Sequence, residues 1–99
     1  MGSTGVTAGK TTAELQDIRK KYVPRGVSNG NLHIAKSASG ATIKDIDGNE
    51  WIDFAGAIGT LNVGHSHPKV TEAVQKQVDN FLHPGFNVIM YEGYLTLAE

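Results

Sequence analysis

The 99-residue chain is 39% hydrophobic and 19% charged, which is typical of a globular protein with room for one small domain. Its net charge of −1 argues against a nucleic-acid-binding surface, and the lack of cysteine leaves no disulfide framework. The chain has no apolar run of the roughly 20 residues that a membrane-spanning helix needs, and its opening lacks the apolar core of a secretory signal. We therefore expect a cytoplasmic protein with no nucleic-acid or membrane partner.

The first predicted element is a short helix that follows a flexible tail. Residues 1–10 are rich in glycine, serine and threonine and have no periodic apolar pattern. Thr11 and Glu14 have the spacing of a capping box, and apolar residues recur at helical spacing after them. Val23 precedes a proline, which disfavours the helical backbone at that residue. The pattern predicts a helix over 12–22.

The next predicted elements are β-strands. Two runs of β-forming residues, 41–46 and 50–54, flank the turn sequence Asp-Gly-Asn at 47–49. An Asp-Gly pair between such runs is a strong short-range signal for a hairpin. We predict an antiparallel hairpin over 41–54, preceded by a short strand at 32–35 that follows a turn-rich stretch.

A loop of small residues and two helices make up the rest of the chain. Glycines recur through 55–64, which indicates a loop that comes close to another backbone or to a ligand. Pro68 suits the first position of a helix, and an apolar stripe continues from there to Leu82. A second stripe begins at Tyr91 and is unfinished at Glu99, so we interpret the chain as a piece of a longer protein.

Two groups of polar residues are of the types found in metal-binding or hydrolytic sites, but we favour a structural role for both groups. His65 and His67 share a face in an extended chain, yet no carboxylate stands at a recognised ligand spacing, so we expect them to fix the turn into the helix instead. Four carboxylates are interpreted as turn and solvated strand residues: Asp45, Asp47, Glu50 and Asp53. The larger aromatic residues are expected in the core: Trp51, Phe54, Phe81 and Phe86. No lysine has the neighbours that a Schiff-base lysine needs, so we assign no catalytic residue.

Several motifs occur in a fixed order along the chain. Asp-Gly-Asn-Glu-Trp-Ile-Asp-Phe at 47–54 is followed by the small-residue loop and by Leu-Asn-Val-Gly-His-Ser-His-Pro at 61–68. In this order the chain resembles the class III aminotransferases, which depend on pyridoxal 5'-phosphate (PLP), over residues 12–99. Tyr-Val-Pro-Arg-Gly at 22–26 and His-Pro-Gly-Phe at 83–86 are most similar to the 4-aminobutyrate branch of that family.

The resemblance implies an α+β segment of a fold-type I enzyme that binds PLP and assembles as a homodimer or homotetramer. Residues 11–82 would form the N-terminal part of the small domain with its linking helix, and 83–99 the start of the large PLP domain. Ile58 matches a substrate-facing position that is aliphatic in the 4-aminobutyrate branch. Phe86 matches a second substrate-binding position, and Asn87 matches a cofactor-binding position at the rim of the active site.

The resemblance also implies a reaction that moves the amino group of 4-aminobutyrate, or a similar ω-amino acid, to 2-oxoglutarate. The family's Schiff-base lysine matches no position in this chain, so we expect the 99 residues alone to be inactive and to bind no PLP. Two alternatives stay open. One is another class III aminotransferase, acting on acetylornithine, lysine, a diamine or a β-amino acid. The other is a free-standing, non-catalytic interaction module. We further expect the isolated chain to self-associate through its apolar stripes.

Overall fold

A computed structural model describes residues 9–99, and this part of the chain forms four helices and one three-stranded sheet. The described residues group into two compact units, one ending at Ser66 and one beginning at His67. The predicted flexible tail, residues 1–10, lies almost entirely outside the described part of the chain. The predicted domain boundary after residue 82 stays a prediction. None of the described helices has both the length and the apolar character to span a membrane.

The first helix, α1, spans Thr12–Tyr22, as the sequence predicts. The hydroxyl of Thr11 accepts a hydrogen bond from the Glu14 N–H at 3.2 Å, and the Glu14 carboxylate accepts one from the Thr11 N–H at 3.3 Å. This reciprocal capping box satisfies amides that the start of a helix leaves unpaired. Val23 is extended and ends the helix, as expected for a residue that precedes proline.

Side chains of α1 attach the helix to the segments that follow it. The Gln16 amide donates to the carbonyl of Leu32 at 2.8 Å, and the Thr12 hydroxyl donates to the Asp47 carboxylate at 2.9 Å. None of the residues of α1 is buried. These polar contacts therefore help to hold the helix in the first unit.

Three strands form the sheet: β1 (Ala35–Ser39), β2 (Thr42–Asp45) and β3 (Glu50–Ile52), in the order β1-β2-β3 and antiparallel throughout. The predicted hairpin is confirmed, with the Asp-Gly pair in the turn between β2 and β3. Gly48 in that turn has a φ of 89°, a conformation that strains any residue with a side chain.

The first strand begins later than predicted. Of the predicted strand 32–35, only Ala35 belongs to β1. The reason is local, because the side chain of Asn31 accepts a hydrogen bond from the His33 N–H at 2.9 Å and turns the chain before pairing begins. The register between β1 and β2 also shifts at Lys36, which marks a β-bulge.

Within the first unit, the short helical turn α2 spans Gly56–Gly59. In the second unit, α3 spans Pro68–Asn80 and begins with its proline, as predicted. His67 is the N-cap residue, and its Nδ1 accepts a hydrogen bond from the Lys69 N–H at 3.2 Å. The helix ends before the expected Leu82 because Phe81 adopts an extended backbone. The predicted start of a further helix is confirmed by α4, which spans Glu92–Ala98.

Within the described residues no apolar side chain is buried, and Asp45 is the only buried residue of any kind. The stripe on α3 is about half exposed at each of its central valines: Val70, Val74 and Val78. The expectation that Trp51 and Phe54 lie in a core is wrong, since both are exposed and Phe54 is 94% exposed. Within the described residues of the first unit, no helix packs on the sheet as a second layer that could cover these rings.

Candidate functional site

The loop at 54–64 has both ends fixed to the turn between β1 and β2. At its start, the Asp53 N–H donates to the carbonyl of Ala41 at 2.8 Å. At its end, the His65 N–H donates to the carbonyl of Gly40 at 2.8 Å, and the Gly40 N–H donates back to the His65 carbonyl at 2.9 Å. The segment is therefore a surface loop whose two ends lie close together.

The close approach of the loop end to the sheet requires glycine at position 64. A Cβ atom on Gly64 would lie 3.0 Å from the carbonyl oxygen of Gly40, which is tighter than an ordinary contact. Gly64 also has a φ of 80°, which side chains rarely adopt. A side chain there would push the end of the loop away from the turn.

One carboxylate joins the start of this loop to its end. Asp53 Oδ1 accepts hydrogen bonds from the N–H groups of Ala55 at 3.0 Å and Gly56 at 2.9 Å, while Oδ2 lies 2.6 Å from His65 Nε2. The Asp53 and His65 side chains are 9% and 19% exposed, so their contact is shielded from water and strengthened. Asp53 is thus not the solvated strand residue that the sequence indicates.

The electrostatics of Asp53 follow from these contacts. The hydrogen bond with His65 is the largest cause that lowers the pKa of Asp53, and the Gly56 N–H adds to it. Partial burial acts in the opposite direction but does not outweigh them. The carboxyl group is therefore ionised at neutral pH and can accept all three hydrogen bonds.

The loop contains a helical turn, α2, at Gly56–Gly59, and its central residues are left-handed. Ala57 has φ 51° and ψ 42°, and Ile58 has φ 61° and ψ 43°. This conformation costs roughly 1–2 kcal/mol for each residue other than glycine and is especially rare for β-branched side chains. The turn is closed by a hydrogen bond from the Gly59 N–H to the carbonyl of Ala55 at 3.1 Å.

Ile58, the predicted substrate-facing residue, is 96% exposed in this strained turn. A single exposed apolar side chain is ordinary on a protein surface. A β-branched side chain that is both exposed and held in left-handed backbone is unusual. Such strain persists only where the surroundings enforce it, typically at functional sites. The role of Ile58 in substrate binding stays a prediction.

Asp45 organises the β2–β3 turn and is not a solvated strand residue as expected. It is 2% exposed, and its Oδ1 accepts hydrogen bonds from the N–H groups of Asp47 at 3.0 Å and Asn49 at 2.9 Å. Its Oδ2 accepts from Trp51 Nε1 at 2.9 Å. The Trp51 bond, helped by Asn49 and opposed by burial, lowers the pKa of Asp45 from 3.8 to about 2. The Trp51 ring in turn packs on His33, with centroids 4.7 Å apart.

The other two predicted site residues lie in the second unit. Phe86 is half-buried, and its ring stacks on Tyr94 with centroids 4.2 Å apart. Asn87 is exposed in a turn that is closed by a hydrogen bond of 2.9 Å from the Val88 N–H to the carbonyl of Gly85. Phe86 and Asn87 are thus neighbours in one turn, whereas Ile58 belongs to the first unit. Their roles in binding substrate and cofactor stay predictions.

The expectation that the 99 residues alone bind no PLP stays a prediction. Every described lysine is exposed, whereas a Schiff-base lysine needs a desolvated or cationic setting. The described residues also contain no group of three histidine, aspartate or glutamate side chains placed to hold a metal ion. His65 instead pairs with Asp53, and His67 caps α3. No step of catalysis is therefore assigned to this segment.

The Asp53–His65 pair is not evident from the sequence. The role of Asp53 has a local signal in the sequence, since an aspartate followed by small residues after a strand is typical of an Asx-turn. Its contact with His65 has no such signal, because His65 is 12 positions away and reaches Asp53 only once the loop has closed. The two-residue spacing of His65 and His67 is instead the kind of pattern found in metal sites.

Residues 22–99 match the family model for Aminotransferase class-III, and the chain belongs to that family. It is 59% identical over 93 residues to a probable 4-aminobutyrate aminotransferase from Bacillus subtilis and 47% identical over 90 residues to a 5-aminovalerate aminotransferase from Pseudomonas aeruginosa. These alignments cover 94% and 91% of this chain and 21% of each relative. The chain thus spans about a fifth of the length of these relatives.

Comparison with a solved structure supports the same family for the fold. Ornithine aminotransferase from Toxoplasma gondii, described with partial occupancy of PLP at its active site, matches 80% of this chain and 20% of its own with a TM-score of 0.69 and 27% identity. The predicted family and the predicted α+β segment of a PLP-dependent aminotransferase fold are therefore confirmed.

Proposed function

We propose that this chain is the N-terminal segment of a PLP-dependent transaminase that moves the amino group of 4-aminobutyrate, or a similar ω-amino acid, to 2-oxoglutarate. The family match supports the reaction class, and the two relatives named for 4-aminobutyrate and 5-aminovalerate support an ω-amino donor. The proposed donor class rests mainly on one observation: the aliphatic side chain of Ile58 is 96% exposed on a strained turn.

The chemistry of the donor explains why an aliphatic side chain suits this position. An unbranched ω-amino acid carries its charges at the two ends and has only methylene groups between them. An aliphatic wall packs against that stem without needing a polar partner, and each methylene removed from water contributes about 0.8 kcal/mol. In the complete enzyme PLP supplies the electron sink, while Ile58 fixes the position of the stem.

The segment acts, in this proposal, inside a complete homodimeric or homotetrameric enzyme in the cytoplasm. The absence of any buried apolar side chain among the described residues supports a larger assembly, because the exposed stripe on α3 lacks a covering layer. We place Phe86 at the substrate-binding rim and Asn87 near the cofactor in that assembly. The isolated 99 residues are expected to transfer no amino group.

The test is a donor panel on the full-length, PLP-loaded enzyme with 2-oxoglutarate as acceptor. We expect kcat/KM to be highest for 4-aminobutyrate or 5-aminovalerate and lower for ornithine, acetylornithine, lysine, a diamine and β-alanine. Ile58→Phe is expected to lower kcat/KM for the preferred donor about tenfold, because the ring occupies the space of the stem. Ile58→Val is the matched control and should stay close to the wild type.

Two results would overturn this assignment. A clear preference for acetylornithine, lysine, a diamine or a β-amino acid would assign the chain to another branch of the family. A full-length chain that transfers no amino group from any donor would favour the non-catalytic interaction module.

A further inference from the structure

The loop at 54–64 holds Ile58 in a backbone conformation that a free chain avoids. Two amides at the start of the left-handed turn are fixed by Asp53 Oδ1, at 3.0 and 2.9 Å. The second oxygen of the same carboxylate lies 2.6 Å from His65 at the far end of the loop. One side-chain pair therefore links the amides that enter the turn to the far end of the loop.

We propose that Asp53 and His65 are positioning residues for the donor-binding wall and act on the substrate only through Ile58. This inference rests on the proposed function, since it takes the loop to be part of the donor site. Neither residue is assigned contact with the substrate or with the coenzyme.

The backbone contacts show what the pair adds. The base of the loop is already closed by three main-chain hydrogen bonds, which join Asp53 to Ala41 and His65 to Gly40. The side-chain pair is thus not needed to bring the ends of the loop together. Its separate contribution is to orient the amides that enter the left-handed turn, and a misplacement of about 1 Å in a binding wall is enough to impair a site.

The experiment uses the full-length holoenzyme and its preferred ω-amino donor. His65→Ala removes the partner of Asp53, and we expect it to raise KM for the donor about fivefold to tenfold while kcat changes less than about twofold. His65→Gln keeps an amide N–H near the position of the imidazole Nε2 and should recover most of the wild-type KM. The absorbance of bound PLP should be the same in all three proteins.

A double-mutant cycle separates positioning from general stability. In an Ile58→Ala background, His65→Ala should raise KM no further, because the wall that it positions is already absent. An equal rise in KM in both backgrounds would overturn the proposal, and so would a fall in melting temperature with KM unchanged. If His65→Ala does not yield folded holoenzyme, Asp53→Ala takes its place in the same cycle.

Two controls complete the design. His33→Ala removes an imidazole that lies 3.7 Å from a different aspartate, Asp45, and should leave KM unchanged. If the wild-type enzyme prefers a donor outside the ω-amino acids, the proposed function fails, but the cycle is then run with that donor. Coupling between His65 and Ile58 would still support the positioning role, and its absence would overturn it.

Discussion

Two aspartates of the first unit accept hydrogen bonds through both of their oxygens, yet they organise different turns. Asp45 closes the β2–β3 turn from inside, and Asp53 fixes the loop that carries Ile58. In each case an aromatic or imidazole N–H group is the largest cause that lowers the pKa: Trp51 for Asp45 and His65 for Asp53. Single carboxylates thus define the geometry in a segment whose described residues include no buried apolar side chain.

Asp45→Asn should make the hairpin less stable at neutral pH and less sensitive to acid. The pKa of Asp45 is 3.8 unfolded and about 2 folded, so ionised Asp45 stabilises the folded state above pH 3.8 and loses this effect as the pH falls towards 2. The difference in stability between wild type and variant should shrink over that window. Hydrogen exchange of the hairpin amides in the full-length enzyme measures it, and a constant difference would contradict the assignment.

Ala57→Gly and Ile58→Gly test the strain in the left-handed turn. Both replacements remove a side chain from a backbone that disfavours it, and each should stabilise the loop by roughly 0.5–1 kcal/mol after the added freedom of the unfolded chain is counted. Only Ile58→Gly should raise KM for the donor, since only it removes the wall. Loop hydrogen exchange and steady-state kinetics give the two readouts. A loss of loop stability in Ala57→Gly would show that the turn is not strained.

At the level of elements, the sequence predicted what local chemistry determines. The capping box at Thr11 and the proline at the start of α3 set two helix starts correctly, and the Asp-Gly pair set the hairpin. The strand at 32–35 was misplaced because the turn at Asn31 competes with it. The left-handed turn α2 has no such local signal, because Ala57 and Ile58 disfavour left-handed backbone and the loop is closed by the distant contact between Asp53 and His65.

Gly64→Ala and Gly48→Ala compare a close backbone approach with conformational strain alone. Both glycines have φ near 80–90°, but only a Cβ on Gly64 meets another backbone, at 3.0 Å from Gly40. Gly48→Ala should cost about 1 kcal/mol, and Gly64→Ala about 3 kcal/mol because overpacking adds to the strain. Hydrogen exchange at the hairpin and at the loop end measures the two costs. Equal costs would mean that the approach at Gly64 is not tight.

For the chain as a whole, the pattern of apolar residues was predicted better than their burial. The stripe on α3 lies where the spacing placed it, yet its valines stay about half exposed. The aromatic residues expected in a core are mostly exposed, while Phe86 stacks on Tyr94 in the second unit. The pattern of apolar residues shows which face of a helix packs against another surface, but it does not show whether that surface belongs to the same segment.

The isolated 99-residue chain should self-associate because its apolar faces lack a covering layer. Light scattering is expected to give a mass above the 10.6 kDa of one chain, increasing with concentration. Val74→Glu places a charge in the α3 stripe and should reduce the association, whereas Glu72→Gln, next to the stripe, should not. A monomer at all concentrations would contradict this expectation.

The most direct test of the proposed ω-amino donor is a half-reaction with the full-length, PLP-loaded enzyme and no acceptor. Addition of 4-aminobutyrate should change the visible absorbance of the bound coenzyme, and later addition of 2-oxoglutarate should restore it. This result would establish the ω-amino donor and the 2-oxo acid acceptor in one experiment. An absorbance that is unaffected by 4-aminobutyrate and 5-aminovalerate, but changes with an α-amino or β-amino acid, would contradict the proposed function.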